Sequence, residues 1–290
     1  MKKSDILFIY NDPDVIKITS MNISRDHNML LVCEKKEKSA CICIYNLSKL
    51  NFNNVVIFKP RRKVVTTHFK EFTYASFSWD GNYIACLGIT QNGETSSTMI
   101  QGVIWDVQIY QAFKDDNYKP KCQFDLPNEV TKISLEPEEN KIICTSGNMH
   151  MNFWHIYENT VKPFKEIKGL NTETNNFLDH GKFLIKIDWV KGEKDMVVTI
   201  NDKNEIFILE KVLETKKDEQ KFNLRIEQIK IRQHIMNCFG GTNHYINSCM
   251  VRSFQKGLVI GSSQGHILFV EKVNLTDQLF RPVRYTSRGN

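Results

Sequence analysis

The chain has 290 residues, is 41% hydrophobic and 25% charged, and carries a formal net charge of +6 with a pI near 8.8. This composition supports one large all-β domain or two small domains with a sizeable core, and its mild basicity permits an acidic partner without demanding one. Eight cysteines are too sparse for a disulfide scaffold, and no apolar stretch is long enough to cross a membrane.

The chain begins Met1-Lys2-Lys3 and runs into the apolar Ile6–Tyr10, an imitation of a signal peptide. That run is only five residues long and meets Asn11-Asp12-Pro13, which rejects a secretory leader. The glycosylation-like triplets at Asn22, Asn46 and Asn274 are then chance matches, and the expected compartment is reducing. Ile6–Tyr10 reads as a lone strand. Ser20–Ser24 opens a first unit, Arg25–Asn28 turns the chain, and Met29–Cys33 is an apolar second strand. After the charged turn Glu34–Ser39 comes a third strand, Ala40–Leu47, and Val55–Phe58 is expected as the outer strand. Cys41 and Cys43 lie two apart and share a face. No cysteine or histidine pair accompanies them, so core packing is expected rather than a metal site. Cys33, Cys86 and Cys144 also lie in apolar runs, where cysteine behaves as a small hydrophobe.

The second unit, near Phe72–Val107, is the clearest. Thr73–Ser78 alternates, with Tyr74, Ser76 and Ser78 on one side and Thr73, Ala75 and Phe77 on the other. Trp79-Asp80-Gly81-Asn82 turns the chain. Tyr83–Ile89 is apolar enough for a strand buried on both faces. Thr90–Thr98 is a polar loop, Met99–Val107 ends in Trp105-Asp106, and Lys121–Leu126 is the outer strand. A strand closed by Trp-Asp is the cue for a WD-type propeller blade.

A third unit runs through Val130–Glu136, a turn at Pro137–Asn140, Lys141–Thr145, a turn at Ser146–Asn148, and Met151–Tyr157. Trp154 stands there in the place of Trp105 as a blade-core aromatic, and His150 and His155 fall on opposite faces, a poor metal pair. The fourth contains Lys182–Val190, Met196–Ile200 and Glu205–Glu210, followed by the charged segment Lys211–Arg232. Alternation at Phe222–Ile226 favours an outer strand there, with a short helix as the competitor. The fifth contains Tyr245–Ser253, Leu258–Gly261 and His266–Glu271.

The expected architecture is all-β: a WD40-type β-propeller with about five recognisable blades near 20–70, 72–127, 130–168, 182–232 and 245–272, and a basic, extended tail over 273–290. The units begin at Ser20, Thr73, Thr131, Phe183 and Ser248, about 50–65 residues apart, against roughly 40–45 for a standard blade. A twisted four-stranded sheet cannot bury two apolar faces alone, and radial stacking buries both. Two closures remain open. Ile6–Tyr10 pairs with His266–Glu271 as the outer strand of the last blade, or the ring is incomplete and blades come from a partner.

Chemistry-bearing motifs are scarce. The chain has no G-x-x-x-x-G-K-[ST] loop, H-E-x-x-H, CxxC pair or G-x-S-x-G elbow, and no cofactor is implied. Asp179-His180-Gly181 reads as an inter-blade turn, and Gly240–Asn243 as a connector. The charged loop Lys35–Lys38 reads as a solvated turn. The weak candidates for partner binding are basic: Arg61, Arg62 and Lys63, and Arg281, Arg284 and Arg288 in the tail, each against the simpler reading of a solvated loop. No aromatic pattern supports RNA binding.

The ordered succession SMNISRDHNMLLVCEKKEKSACICIYNLSKL, FTYASFSWDGNYIACLGI, EVTKISLEPEENKIICTSGNMHMNFWHIYENTVK, FLDHGKFLIKIDWVKGEKDMVVTINDKNEIFILEK and FQKGLVIGSSQGHILFVEK resembles the first propeller of an axonemal WD-repeat family, that of cilia- and flagella-associated protein 57. The resemblance spans Ser20 to Lys272. It implies a non-enzymatic structural part of the motile cilium axoneme, on the cytoplasmic side, near the doublet microtubule and inner dynein arms. Implied partners are other axonemal proteins, including a WD-repeat or coiled-coil chain that completes the propeller, with tubulin as a further candidate. Neither nucleic acid nor membrane is expected. Family members carry a further leading blade segment, a second propeller and a long coiled coil, which this chain lacks. The alternative is a generic cytosolic WD-repeat scaffold, in trafficking or ubiquitin-ligase docking, and an enzyme using the central channel is the third class.

Overall fold

The computed structural model describes residues 13–49, 62–91, 98–107, 119–147, 150–164, 167–168, 170–171, 176–177, 181–182, 186–190, 196–200, 205–213, 220–230, 249–254, 257–262, 266–272 and 280–287. Most of them are strand. The first sheet orders β1 (Val15–Ile23), β2 (Met29–Lys36), β3 (Ala40–Asn46) and β4 (Arg62–Thr66) side by side. The second repeats the order with β5 (Glu71–Phe77), β6 (Tyr83–Gln91), β7 (Thr98–Asp106) and β8 (Cys122–Leu126). The third does so with β9 (Val130–Leu135), β10 (Ile142–Gly147), β11 (His150–Tyr157) and β12 (Thr160–Pro163). Four short pieces follow: β13 (Ile167–Lys168), β14 (Leu170–Asn171), β15 (Asn176–Phe177) and β16 (Gly181–Lys182), the last three forming a small antiparallel sheet. The fourth large sheet contains β17 (Lys186–Trp189), β18 (Met196–Ile200), β19 (Glu205–Leu213) and β20 (Gln220–Lys230), with β13 added in parallel beside β20. The fifth contains β21 (Cys249–Phe254), β22 (Gly257–Ser262), β23 (His266–Lys272) and β24 (Phe280–Ser287).

The packing explains the sequence pattern. Ile84 and Cys86 of β6 join a core with Leu31, Cys33, Ile42 and Ile44 of the first sheet. The intervening Ala85 and Leu87 join Val130, Ile133 and Leu135 of the third. A strand sandwiched between two sheets loses its polar alternation, because both sets of side chains leave water. The expectation for Tyr83–Ile89 is met on both faces. Cys33, Cys41, Cys43, Cys86, Cys122 and Cys144 are all buried thiols. Burial pushes the Cys33 and Cys43 thiols well up, and that of Cys122 up to about 11, so they remain protonated apolar filler.

The chain clusters into two compact units, Met1–Thr145 with Trp154–Lys162, and Ser146–Phe153 with Pro163–Asn290. Within the first unit the innermost strands are tied by side chains. The Thr19 hydroxyl donates to the Phe72 carbonyl, the Ser20 hydroxyl accepts the Ala75 amide at 3.1 Å, and the Ser76 hydroxyl donates to the Ile133 carbonyl at 3.2 Å. Within the second unit the Asp188 carboxylate accepts the Ser253 amide at 2.8 Å. Small polar residues on inner strands therefore act as rungs between neighbouring sheets, where two backbones come too close for large side chains.

Several expectations are corrected. The proposed outer strand Val55–Phe58 lies outside the described residues, and β4 at Arg62–Thr66 fills that place in the sheet. The alternation expected for Thr73–Ser78 holds from Tyr74 onward, with Ala75 and Phe77 on the core shared with the first sheet and Tyr74 on the core shared with the third. A bulge sits at Thr73, since Phe72 opposes Gly88 and Tyr74 opposes Leu87. Ala75 and Ser76 are both buried because they face different neighbours, Ala75 the first sheet and Ser76 the third, where its hydroxyl donates to the Ile133 carbonyl. Ser146 and Gly147 continue β10 rather than turning, and the strand over Phe222–Ile226 extends to Gln220–Lys230, which displaces the helix. The tail is not simply extended: Phe280–Ser287 is β24, paired antiparallel with β23. β23 thus has β22 on one side and β24 on the other, and the place proposed for Ile6–Tyr10 is taken. Ile6–Tyr10 lies outside the described residues, as do Asp179, His180 and Gly240–Asn243.

Candidate functional site

The most regular local structure is the hairpin joining the first two strands of a sheet. Between β1 and β2 the segment is Ser24-Arg25-Asp26-His27-Asn28-Met29, and between β5 and β6 it is Ser78-Trp79-Asp80-Gly81-Asn82-Tyr83. Both follow one pattern. The serine hydroxyl donates to the aspartate at 2.6 Å and accepts the amide five residues on, from Met29 or Tyr83, at 2.9 Å. The aspartate accepts the asparagine backbone amide, at 3.1 Å in the first turn and 3.0 Å in the second, and the asparagine side chain, at 2.9 and 2.7 Å. His27 (φ 60°) and Gly81 (φ 74°) hold the same left-handed position. The third turn is a variant one residue longer. Glu136 replaces the serine, its carboxylate accepts the Glu138 and Glu139 amides, and Asn140 takes the positive φ at 55°.

The turns are connected in a row. The Asn140 side chain donates to Asp80 at 2.9 Å, and the Arg25 guanidinium stacks on the Trp79 ring, 3.6 Å from its centroid. Ser24, Arg25, Asp26, Met29, Trp79, Asp80 and Gly81 line a cavity of about 340 Å³ between the first two turns. Both carboxylates are held below the ordinary aspartate value of 3.8. For Asp26 the hydrogen bonds from Ser24 and Asn28 do this. At Asp80 burial pushes upward, but hydrogen bonds from Ser78, Asn82 and Asn140 outweigh it.

A depressed folded-state value means that the ionised turns contribute stability above the unfolded value, and that this contribution is lost as pH falls through the folded value. Stability of the wild type is therefore expected to fall on acidification below about pH 4. Asp80→Asn should lie below wild type at pH 7 and converge toward it at acid pH, a difference that denaturant titrations at several pH values will read.

The sequence-derived candidates lie on two strands, one in each compact unit, or outside the described residues. Arg61 lies outside the described residues. Arg62 and Lys63 lie on β4, where Lys63 opposes Cys43 and is half-buried, so this segment is an outer strand and not a free loop. Arg281 and Arg284 lie on β24, opposite Glu271 and Phe269, and Arg288 is outside the described residues. Trp154 does pack in a core, 5.0 Å from Phe124, and its indole donates to the Thr145 hydroxyl at 2.8 Å. Among the described residues no group of three or more His, Cys, Asp or Glu side chains converges as a metal site. The Arg25–Trp79 site escaped sequence reading, although one signal was present. Ser24, Asp26 and Asn28 recur as Ser78, Asp80 and Asn82 at a constant offset, which marks equivalent turns.

No protein-family model matches the chain, and no curated protein sequence does either. Solved structures do. The β-propeller domain of Cps50 (Swd1) from Myceliophteria thermophila superposes with a TM-score of 0.57 at 13% identity, over 96% of this chain and 74% of that one. A functionally unknown protein from Desulfotomaculum acetoxidans gives 0.57 at 12%, over 94% and 70%. Saccharomyces cerevisiae Sqt1 gives 0.54 at 8%, over 98% and 66%. At such identities the likeness is one of fold, and with the repeated four-stranded antiparallel sheets it makes this chain an all-β protein of the WD40 β-propeller class.

Proposed function

We propose that the protein is a non-enzymatic interaction scaffold that works as a structural component of the motile-cilium axoneme, near the doublet microtubule and inner dynein arms. The observation that carries the scaffold reading is β1. This edge strand exposes Ile16 (64%), Ile18 (42%), Met21 (65%) and Ile23 (55%), while β2 beside it is buried along its middle and β3 beyond that along almost its whole length. A row of large apolar side chains along one strand is a surface that association covers. The occupant in this reading is a second WD-repeat polypeptide, whose blade meets β1 by the same apolar packing that joins sheets within this chain. The axonemal setting rests on the sequence resemblance over Ser20–Lys272, and the excess of basic residues suits acidic neighbours, tubulin among them.

The test is fractionation of demembranated cilia. Retention with the doublets, followed by release at raised salt together with a second WD-repeat chain, is the expected result. Loss into the detergent-soluble fraction would instead favour a generic cytosolic scaffold. A monodisperse, heat-stable monomer of the isolated chain would count against completion in trans.

A further inference from the structure

We propose that the chain associates head to tail with a second copy of itself, the open face of the fifth sheet in one copy covering β1 of the next. This deepens the scaffold reading, and rests on it, by making a second copy the WD-repeat partner. The second sheet, packed on both faces, shows what each terminal sheet lacks. β1 and β2 match β5 and β6 residue for residue at a constant offset, through the bulge and the hairpin turn. Ile18 opposes Glu34 as Phe72 opposes Gly88, Met21 opposes Val32 as Ala75 opposes Cys86, and Ile23 opposes Leu30 as Phe77 opposes Ile84. Phe72 and Ala75 are buried, and Phe77 half-buried, in the core shared with the first sheet. Ile18, Met21 and Ile23 hold the same places on β1 and are exposed. Val65 on β4 opposes Cys41, which opposes Glu34, and extends the exposed apolar row across that face.

The fifth sheet is open on the complementary face. The bond from the Ser253 amide to Asp188 is the counterpart of that from the Phe77 amide to Asn22, so Ser253 stands at the place of Phe77. Counted along the ladders from there, Val259 stands at the place of Ala85 and Phe269 at that of Ile104. Ala85 and Ile104 are buried in the core shared with the third sheet, whereas Val259 and Phe269 are half-buried and Ile267 on their face is 40% exposed. The same count sets Val259, Ile267 and Phe269 where Leu31, Ile42 and Ile44 of the first sheet meet β5. Arg252, also on this face, has its guanidinium 3.8 Å from the Asp188 carboxylate, which pairs the charge within its own unit. The fifth sheet thus carries the kind of face that covers β5, and β1 is the kind of strand such a face covers. Ile18, Met21, Ile23 and Ile267 remain exposed with the whole chain folded, so their cover comes from another molecule, and a second copy carries both faces. Two different patches meet in this contact, so it is heterologous, and its repetition closes a ring or extends a filament.

The experiment is sedimentation velocity of the full chain, wild type against Met21→Glu and Ile267→Glu. Wild type should self-associate with increasing concentration. Each variant places a charge where docking would bury it, and should weaken association at least about tenfold. Mixed, the two variants should recover a one-to-one dimer and nothing larger, because the intact fifth sheet of the Met21→Glu chain fits the intact β1 of the Ile267→Glu chain. Unchanged circular dichroism and thermal midpoint will exclude a folding defect, and the milder Met21→Gln and Ile267→Thr should weaken association less. A wild type that stays monomeric at every soluble concentration, either Glu variant associating like wild type, or a mixture that stays monomeric would each overturn the proposal. If wild type is monomeric yet leaves the doublets with a different WD-repeat chain, the scaffold reading survives. If wild type self-associates but is not retained by doublets, that reading fails separately.

Discussion

Phe72→Ala is expected to lower the free energy of unfolding by about 3–5 kcal/mol. Phe72 is fully buried on β5, with its ring 5.0 Å from that of Phe69. Both rings belong to the core that joins Leu31, Ile42 and Ile44 of the first sheet to Ile84 and Trp105 of the second. The site cannot collapse easily around a deletion. Gly88 lies opposite Phe72, and Phe69 already occupies the space where a Gly88 side chain would be. Removing the ring thus leaves a cavity bounded by side chains from two sheets, and the lost contacts add to the lost transfer energy. The measurement is a denaturant titration in which the midpoint falls and the slope is unchanged. A loss below about 1 kcal/mol would show that the first two sheets do not share this core.

Gly257→Ala should cost about 3 kcal/mol or more, from backbone strain and overpacking together. Gly257 opens β22 at φ 152°, a conformation that side chains rarely adopt, and its added Cβ would run into the carbonyl oxygen of Val270 on β23. The obstruction is backbone held in a ladder, with Gly257 paired to both Phe254 and Glu271, so it cannot swing aside. Gly81→Ala is the informative contrast. There the φ is 74° and the nearest atom is the flexible end of Met29 at 3.2 Å. His27 and Asn140 hold the same kind of position in the neighbouring turns. The expected cost at Gly81 is about 1–2 kcal/mol. Equal losses at the two glycines would refute the distinction between a yielding side chain and a fixed carbonyl.

Much of this fold was legible before any coordinates. Met29–Cys33, Tyr83–Ile89 and Met196–Ile200 are short apolar runs between turn residues, and each is a second strand; alternate residues of the first two enter two different cores, and Met196–Thr199 of the third are all buried. Such strands announce themselves because burial on both faces is written directly into composition. The inner and outer strands were less legible. The first unit was expected to open at Ser20, whereas β1 begins at Val15, and its Thr19, Ser20 and Asn22 serve as hydrogen-bond rungs to β5. Alternation gave the faces of Tyr74–Phe77 but not the bulge at Thr73 just before them, and β4 and β24 are basic segments that read as loop and tail.

The candidate site divides the same way. The repeated Ser-x-Asp-x-Asn turns are local, since each closes its hydrogen bonds within six residues, and the sequence alone specifies them. The stacking of Arg25 on Trp79 and the bond from Asn140 to Asp80 join residues more than fifty positions apart. Only the packing of one sheet on the next brings those turns into a row. The five repeating units, their buried central strands and the turn chemistry were therefore determined by local pattern. The register at bulges, the last strand of the first and fifth sheets, and the cavity beside Arg25 were decided by tertiary structure, because each depends on which distant backbone a residue meets.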